Sequence, residues 1–222
     1  MKSEWLHRQQ KERLIILCNG WGMDANPFLP LGAREYDVLI LSDYRDLSLD
    51  CDLATLIDSY QSAFLVSWSM GVWVGQQIFQ PWSHRLQGAI AINGTLCPIH
   101  DQFGIPEQIY GATLEQFHAA SRQKFYRRMC RDRKVFDTFL THQPQRSVVD
   151  QRWELVALQR QVSCQTAEDA IYRHIVIAGQ DMVVPTTNQL AFWQGRAIRL
   201  VEGNHFLFYR WNSWDELMGM IE

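Results

Sequence analysis

Apolar residues along this chain come in short continuous runs, each ended by a loop built from glycine, serine, asparagine or aspartate. "RLIILCN" (13–19) stops at "GWG", and "YDVLILSD" (36–43), "AFLVS" (63–67), "LQGAIAIN" (86–93), "RHIVIAG" (173–179) and "GRAIRLVEG" (195–203) follow the same form. A segment apolar at consecutive positions fits a strand buried on both faces, as in a parallel sheet. Between these runs the apolar spacing is helical. "DLATLIDSYQ" (52–61) has Asp52 placed as a cap, "MGVWVGQQIFQ" (70–80) stops before Pro81, and "NSWDELMGMI" (212–221) reads as a terminal helix. Strands alternating with helices predict an α/β fold with a mostly parallel sheet, and right-handed crossovers put helices on both faces. Residues 97–165 break the rhythm: they lack strand-like runs and are rich in helix formers and long side chains. They read as a helical cap, or lid, inserted into a core made of 1–96 and 166–222. No internal repeat or low-complexity linker interrupts the chain.

In open α/β sheets ligands sit at the carboxyl ends of the strands, so the residues following each run carry the candidate chemistry. After the first come Asn19-Gly20-Trp21-Gly22, after the third Ser67-Trp68-Ser69-Met70-Gly71, after the fifth Gly179-Gln180-Asp181, and after the sixth Gly203-Asn204-His205. Taken alone, Ser69 reads as a helix N-cap as readily as a nucleophile, Asp181 as a turn residue and His205 as structural. Together they stand at strand ends in the chain order of a Ser–Asp–His triad. A serine hydroxyl attacks only when an imidazole takes its proton, and the imidazole needs a carboxylate to fix its tautomer and stabilise its cation. The other histidines stand in helices, in loops or, like His174, at the wrong end of a strand. Asp43, after the second run, is a rival acid but comes too early for the order.

The segment "SWSMG" departs from G-x-S-x-G, because Ser67 stands where glycine is usual. The turn needs small residues two before and two after the serine, where helix and strand approach closely; Gly71 and Ser67 both meet that need. Whether Ser67 adds a hydroxyl to the site stays open. Two backbone N–H groups would form an oxyanion hole: Met70, at the start of a helix, and Trp21 in the "NGWG" turn. Trp21 and Trp68 are candidates to line an acyl slot, Asn93 with Gly94 and Thr95 to border the site, and Trp73 to belong to the core.

Composition changes this picture little. The 222 residues are 47% hydrophobic and 20% charged, which suits a globular core and excludes a disordered chain. No apolar run approaches the roughly 20 residues needed to span a bilayer. The polar start "MKSEWLHRQQKER" is not a secretory signal, so a cytoplasmic location is expected. Five cysteines, an odd number without a C-x-x-C pair, argue against a disulfide framework or zinc site and for reduced, buried thiols. Charge is more informative. Residues 121–134 hold seven of the 21 Lys and Arg but only one of the 24 Asp and Glu, on a chain of net charge −3. If that segment is helical, Lys124, Arg127, Arg128 and Arg131 share one face at i, i+3, i+4 and i+7. Such a stripe suits an acidic partner, and its plain alternative is a solvated helix face.

"CNGWGMD", "SWSMGVW", "AINGTLCPI", "FGIP" and "KFYRRMC" together resemble the BioG-type pimeloyl-[acyl-carrier protein] methyl ester esterases of biotin synthesis. The resemblance covers nearly the whole chain from residue 14. It implies an α/β-hydrolase fold lacking the first strand pair of other biotin-pathway esterases. It also implies a triad of Ser69, Asp181 and His205, oxyanion donors Trp21 and Met70, and no metal or organic cofactor. The implied substrate is methyl pimelate carried on the phosphopantetheine arm of an acyl carrier protein, with Lys124, Arg127, Arg128 and Arg131 contacting the acidic carrier. The expectation is a serine carboxylesterase, monomeric, with no nucleic-acid or membrane partner. An acyl-carrier-protein thioesterase, a general short-chain serine esterase and a non-enzymatic carrier-binding module are the alternatives.

Overall fold

The computed structural model describes residues 1–49 and 52–220. Cys51 and the end of the expected terminal helix at Ile221 lie outside the described residues. Among these residues seven strands form one sheet: β1 (Lys2–His7), β2 (Arg13–Cys18), β3 (Tyr36–Ser42), β4 (Ser62–Trp68), β5 (Gly88–Ile92), β6 (His174–Ala178) and β7 (Ile198–Val201). Their order is β1-β3-β2-β4-β5-β6-β7; every neighbouring pair is parallel except β1 with β3. Around the sheet lie α1 (Leu53–Asp58), α2 (Met70–Phe79), α7 (Thr186–Phe192) and α8 (Trp214–Met218). Between β5 and β6 the chain runs through α3 (Glu107–Glu115), α4 (Ala119–Cys130), α5 (Arg133–Thr141) and α6 (Val148–Gln161).

The period-two geometry of a strand sorts consecutive apolar residues onto opposite faces. Leu14, Ile16 and Cys18 of β2 join Leu39, Leu41, Leu65, Ala89, Ala91 and Ile177 in one core layer, closed by Leu53 and Ile57 of α1 and by Val72 and Phe79 of α2. Ile15 and Leu17 point the other way, with Val38, Ile40, Val66, Ile90 and Val176, against Trp214 and Leu217 of α8 and Phe136 and Phe139 of α5. This two-sided burial is why the strands read as unbroken apolar runs. A third cluster sits above the carboxyl ends of the strands. There Trp21, Tyr44, Met70 and Trp73 from the core meet Tyr110, Phe117, Leu155 and Leu158 from the inserted helices. No helix among the described residues is long and apolar enough to cross a membrane.

Two expectations need correction. The first strand pair was expected to be lacking, but Lys2–His7 forms one strand, β1, antiparallel to β3, so a strand does precede β2. It is an edge strand paired on one side only; Lys2 and Glu4 are exposed, while Ser3 and Trp5 to His7 are partly covered. Trp5 packs on one core layer and Leu6 on the other, too few apolar positions to stand out in sequence. The cysteines were expected to be reduced, yet Cys97 and Cys164 form a disulfide with Cα atoms 4.1 Å apart. β5 and β6 are sheet neighbours, so the chain that leaves one for the inserted helices returns beside the other. Gln165 N–H donates to the Leu96 carbonyl at 3.0 Å, and the flanking cysteines meet. Spacing in sequence carries no trace of that return. Cys18 and Cys130 are free and buried, and burial pushes both thiols up to about 12.

Candidate active site

Ser69 occupies the turn from β4 into α2 with φ 59° and ψ −125°, a conformation that side-chain-bearing residues rarely adopt. The turn is held by Ser69 N–H donating to the Ile92 carbonyl at 2.9 Å. It is possible only because α2 passes very close to β2: a Cβ on Gly71 would lie 2.1 Å from the Cys18 carbonyl oxygen and 2.4 Å from that of Asn19. The strain lifts the Ser69 hydroxyl toward His205, whose Nε2 is 2.9 Å from Ser69 Oγ. On the other side of the ring, Nδ1 lies 2.8 Å from Asp181 Oδ2. A carboxylate only accepts, so Nδ1 carries the proton and Nε2 is left free to accept from Ser69.

The supporting contacts are dense. Asp181 Oδ1 accepts from the Val183 and Val184 N–H groups at 2.8 and 3.1 Å, and Oδ2 also accepts from Gln189 Nε2 at 2.9 Å. The His205 carbonyl accepts from Trp68 Nε1 at 3.0 Å and from Asn93 Nδ2 at 2.8 Å. The Trp68 ring packs against the imidazole with centroids 5.3 Å apart. Beside Ser69 opens a narrow void of about 30 Å³, walled by Trp21, Met23, Phe125, Met129, Leu155 and Val183. Met70 and Trp21 border it, and neither of their backbone N–H groups has an acceptor among the described residues. No cluster of metal-ligating side chains occurs among the described residues.

Several candidate residues stand elsewhere than expected. Asn93 does not border the void: it is fully buried, its amide is bonded to the Asn204 and His205 carbonyls, and its Oδ1 accepts from Ala178 N–H at 2.7 Å. It holds the His205 loop from beneath. Ser67 also faces away. Its Oγ lies 2.9 Å from the Tyr172 hydroxyl oxygen, whose single proton goes to the Val72 carbonyl of α2 at 2.7 Å. Asp43, the rival acid, is held by Arg45 at 2.6 Å and Arg146 at 3.2 Å. Burial opposes its ionisation, but the hydrogen bonds and charge of these arginines outweigh it and hold its carboxyl below the usual range.

The basic stripe is not one face. α4 ends at Cys130, and Arg131 follows in a positive-φ cap (50°). Arg127 turns toward α5, its guanidinium 5.2 Å from the Phe136 ring. Only Lys124 and Arg128 share a surface, a groove of about 290 Å³ that also touches Thr113, Ser121 and Phe125. Arg128, Thr113 and Phe125 line both this groove and the void at Ser69. Burial makes the Arg128 cation less favourable, opposed by the Asp181 charge, and its Nε is buried without a hydrogen-bond partner among the described residues. Sequence reasoning missed Gln151 and Glu154 of the inserted segment, which grip the "NGWG" turn, and Arg146, which pairs with Glu154. Polar positions in a helix gave no signal that they point inward.

A family model described as pimeloyl-ACP methyl esterase BioG matches residues 1–217. A malonyl-[acyl-carrier protein] O-methyltransferase of Bacteroides fragilis is 38% identical over 199 residues, 89% of this chain; the match spans 40% of that protein's length. The crystal structure of BioG from Haemophilus influenzae superimposes with a TM-score of 0.87 at 34% identity, over 97% of this chain and 98% of that one. A peroxisomal alpha-beta-hydrolase of Saccharomyces cerevisiae shares the fold alone, with a TM-score of 0.56 at 14% identity over 95% of this chain and 75% of that one.

Proposed function

This chain belongs to the pimeloyl-ACP methyl esterase BioG family, and from that membership we propose that it hydrolyses the methyl ester of a pimeloyl group carried on an acyl carrier protein, in biotin synthesis. The observation that carries the chemistry is the relay Ser69 Oγ to His205 Nε2 at 2.9 Å and His205 Nδ1 to Asp181 at 2.8 Å. His205 takes the Ser69 proton as Oγ attacks the ester carbonyl. The tetrahedral oxyanion accepts from the Met70 and Trp21 N–H groups, each such donor being worth roughly 10²–10³ in turnover. The intermediate collapses, His205 protonates the departing methoxide, and methanol leaves an acyl-enzyme. A water that gives its proton to His205 then attacks the same carbonyl through a second oxyanion. The free pimeloyl carboxylate departs as Ser69 regains its proton. Asp181 holds the ring in the required tautomer and stabilises the imidazolium at each step.

The carrier enters this reading through the groove. Lys124 and Arg128 offer two cations on the surface that adjoins the void, which supports an acidic partner delivering its acyl chain past Arg128. Arg127 and Arg131 stand outside that groove and contribute only long-range attraction.

The deciding experiment incubates the protein with methyl-pimeloyl-carrier protein. The expected products are methanol and a carrier that is still acylated; free carrier bearing an empty phosphopantetheine would mean thioester cleavage and overturn the reading. A fluorophosphonate probe is expected to label the parent and not Ser69→Ala. Equal labelling of both would remove Ser69 as the nucleophile.

A further inference from the structure

The turn at Asn19–Gly22 carries the Trp21 N–H, yet α6 and its approach hold much of that turn in place. Every other N–H in the turn has an acceptor. Gly20 N–H donates to Asn19 Oδ1 at 2.8 Å, Gly22 N–H to Glu154 Oε2 at 3.1 Å, and Met23 N–H to the Gly20 carbonyl at 3.3 Å. The last of these matters most. The Gly20 carbonyl and the Trp21 N–H belong to one planar peptide, so fixing the carbonyl on one side aims the N–H to the other. That contact closes only if Gly22, at φ 75°, stays where Glu154 and Gln151 hold it: Gln151 Nε2 donates to the Gly22 carbonyl at 2.7 Å, and the Gln151 carbonyl accepts the Trp21 indole N–H at 2.8 Å.

We propose that Glu154 and Gln151 are positioning residues that aim the Trp21 N–H at the oxyanion, so that the inserted helices complete the catalytic site as well as covering it. This rests on the assignment of Ser69 as nucleophile. Glu154 is fully buried and accepts twice more, from Tyr44 N–H at 2.9 Å and from Arg146. A carboxylate suits that place because it presents acceptors in several directions and no donor that would oppose the three N–H groups converging on it. Arg146, itself held near Asp43, balances the buried charge. None of these groups touches the Ser69 hydroxyl or lines the groove; their contacts reach the turn and the loop after β3, and Gln151 Nε2 also donates to the Tyr126 hydroxyl of α4 at 2.9 Å.

The test compares Glu154→Gln and Gln151→Met with the parent, using p-nitrophenyl acetate as a small soluble ester and a trifluoromethyl ketone that forms an oxyanion adduct with serine. Active sites are counted by the end point of fluorophosphonate labelling. We expect kcat per labelled site to fall about 10- to 100-fold in Glu154→Gln, somewhat less in Gln151→Met, with KM within about twofold, as for a weakened oxyanion donor. Affinity for the ketone should fall by the same factor as kcat. If both variants keep kcat within about threefold of the parent, or lose kcat without losing ketone affinity, the positioning role is overturned. Should Glu154→Gln fail to fold, Gln151→Met decides, since it keeps nearly the same volume and removes only the amide. A parent that does not label at all overturns the nucleophile assignment instead, which separates the two failures.

Discussion

Restoring the commoner glycine at the elbow, Ser67→Gly, should damage stability and leave chemistry alone. Ser67 is fully buried at the end of β4, with its hydroxyl turned from His205 toward Tyr172. Removing that hydroxyl deletes one buried hydrogen bond, typically about 0.5–1.5 kcal/mol. The loss sits toward the lower end, because the Tyr172 hydroxyl keeps the Val72 carbonyl at 2.7 Å as an acceptor. A glycine within a strand adds about 0.5–1 kcal/mol of backbone entropy relative to alanine. The sum is about 1–2 kcal/mol, which for a chain of this length lowers Tm by roughly 2–8 °C. Ser67→Ala, lacking only the hydroxyl, should show about half of that. Thermal unfolding followed by circular dichroism measures the first quantity, and turnover of a soluble ester per fluorophosphonate-labelled site measures the second. If turnover per site changes by more than about threefold while Tm stays put, Ser67 takes part in the chemistry and the geometric reading is wrong.

Gly71→Ala should destroy the elbow, since its Cβ would meet the Cys18 carbonyl at 2.1 Å; expression as insoluble protein or loss of fluorophosphonate labelling is the expected result. Asn93→Leu leaves the Ala178 N–H without its buried acceptor and the His205 carbonyl with Trp68 Nε1 alone, so a stability loss of about 2–4 kcal/mol by urea titration is expected, with a fall in turnover as His205 loosens. Cys164→Ser removes the link across 67 residues between the ends of the inserted helices and should cost about 2–4 kcal/mol, read as a lower urea midpoint that matches the reduced parent. Because burial pushes the Cys18 and Cys130 thiols up to about 12, neither should be alkylated by iodoacetamide at pH 8 in the folded protein, and peptide mass mapping would reveal any adduct. Lys124→Glu should slow turnover of the carrier-bound substrate in a salt-dependent way and spare soluble esters; equal losses on both would make the groove structural.

Much of this protein was legible in its sequence, because the relevant signals are local. A strand buried on two faces must be apolar at every position, so β2 to β6 announce themselves. A nucleophile elbow must be small beside the serine, so "SWSMG" is readable even with Ser67 in place of glycine. Chain order then separates Asp181 from Asp43, and the place directly after the last strand separates His205 from the other histidines. The tertiary structure decided what depends on which distant segments meet. β1 became a strand because an edge was open beside β3, and Trp5 and Leu6 alone could not signal it. Cys97 met Cys164 because the inserted helices leave and return at adjacent strands. The basic stripe divided because α4 stops at Cys130 and α5 draws Arg127 aside. Glu154 and Gln151, two polar residues on a helix far along the chain, turned inward to grip the "NGWG" turn. Hydrogen-bond partners more than a hundred residues apart leave no periodic mark, and only the packing of α6 over the strand ends brings them together.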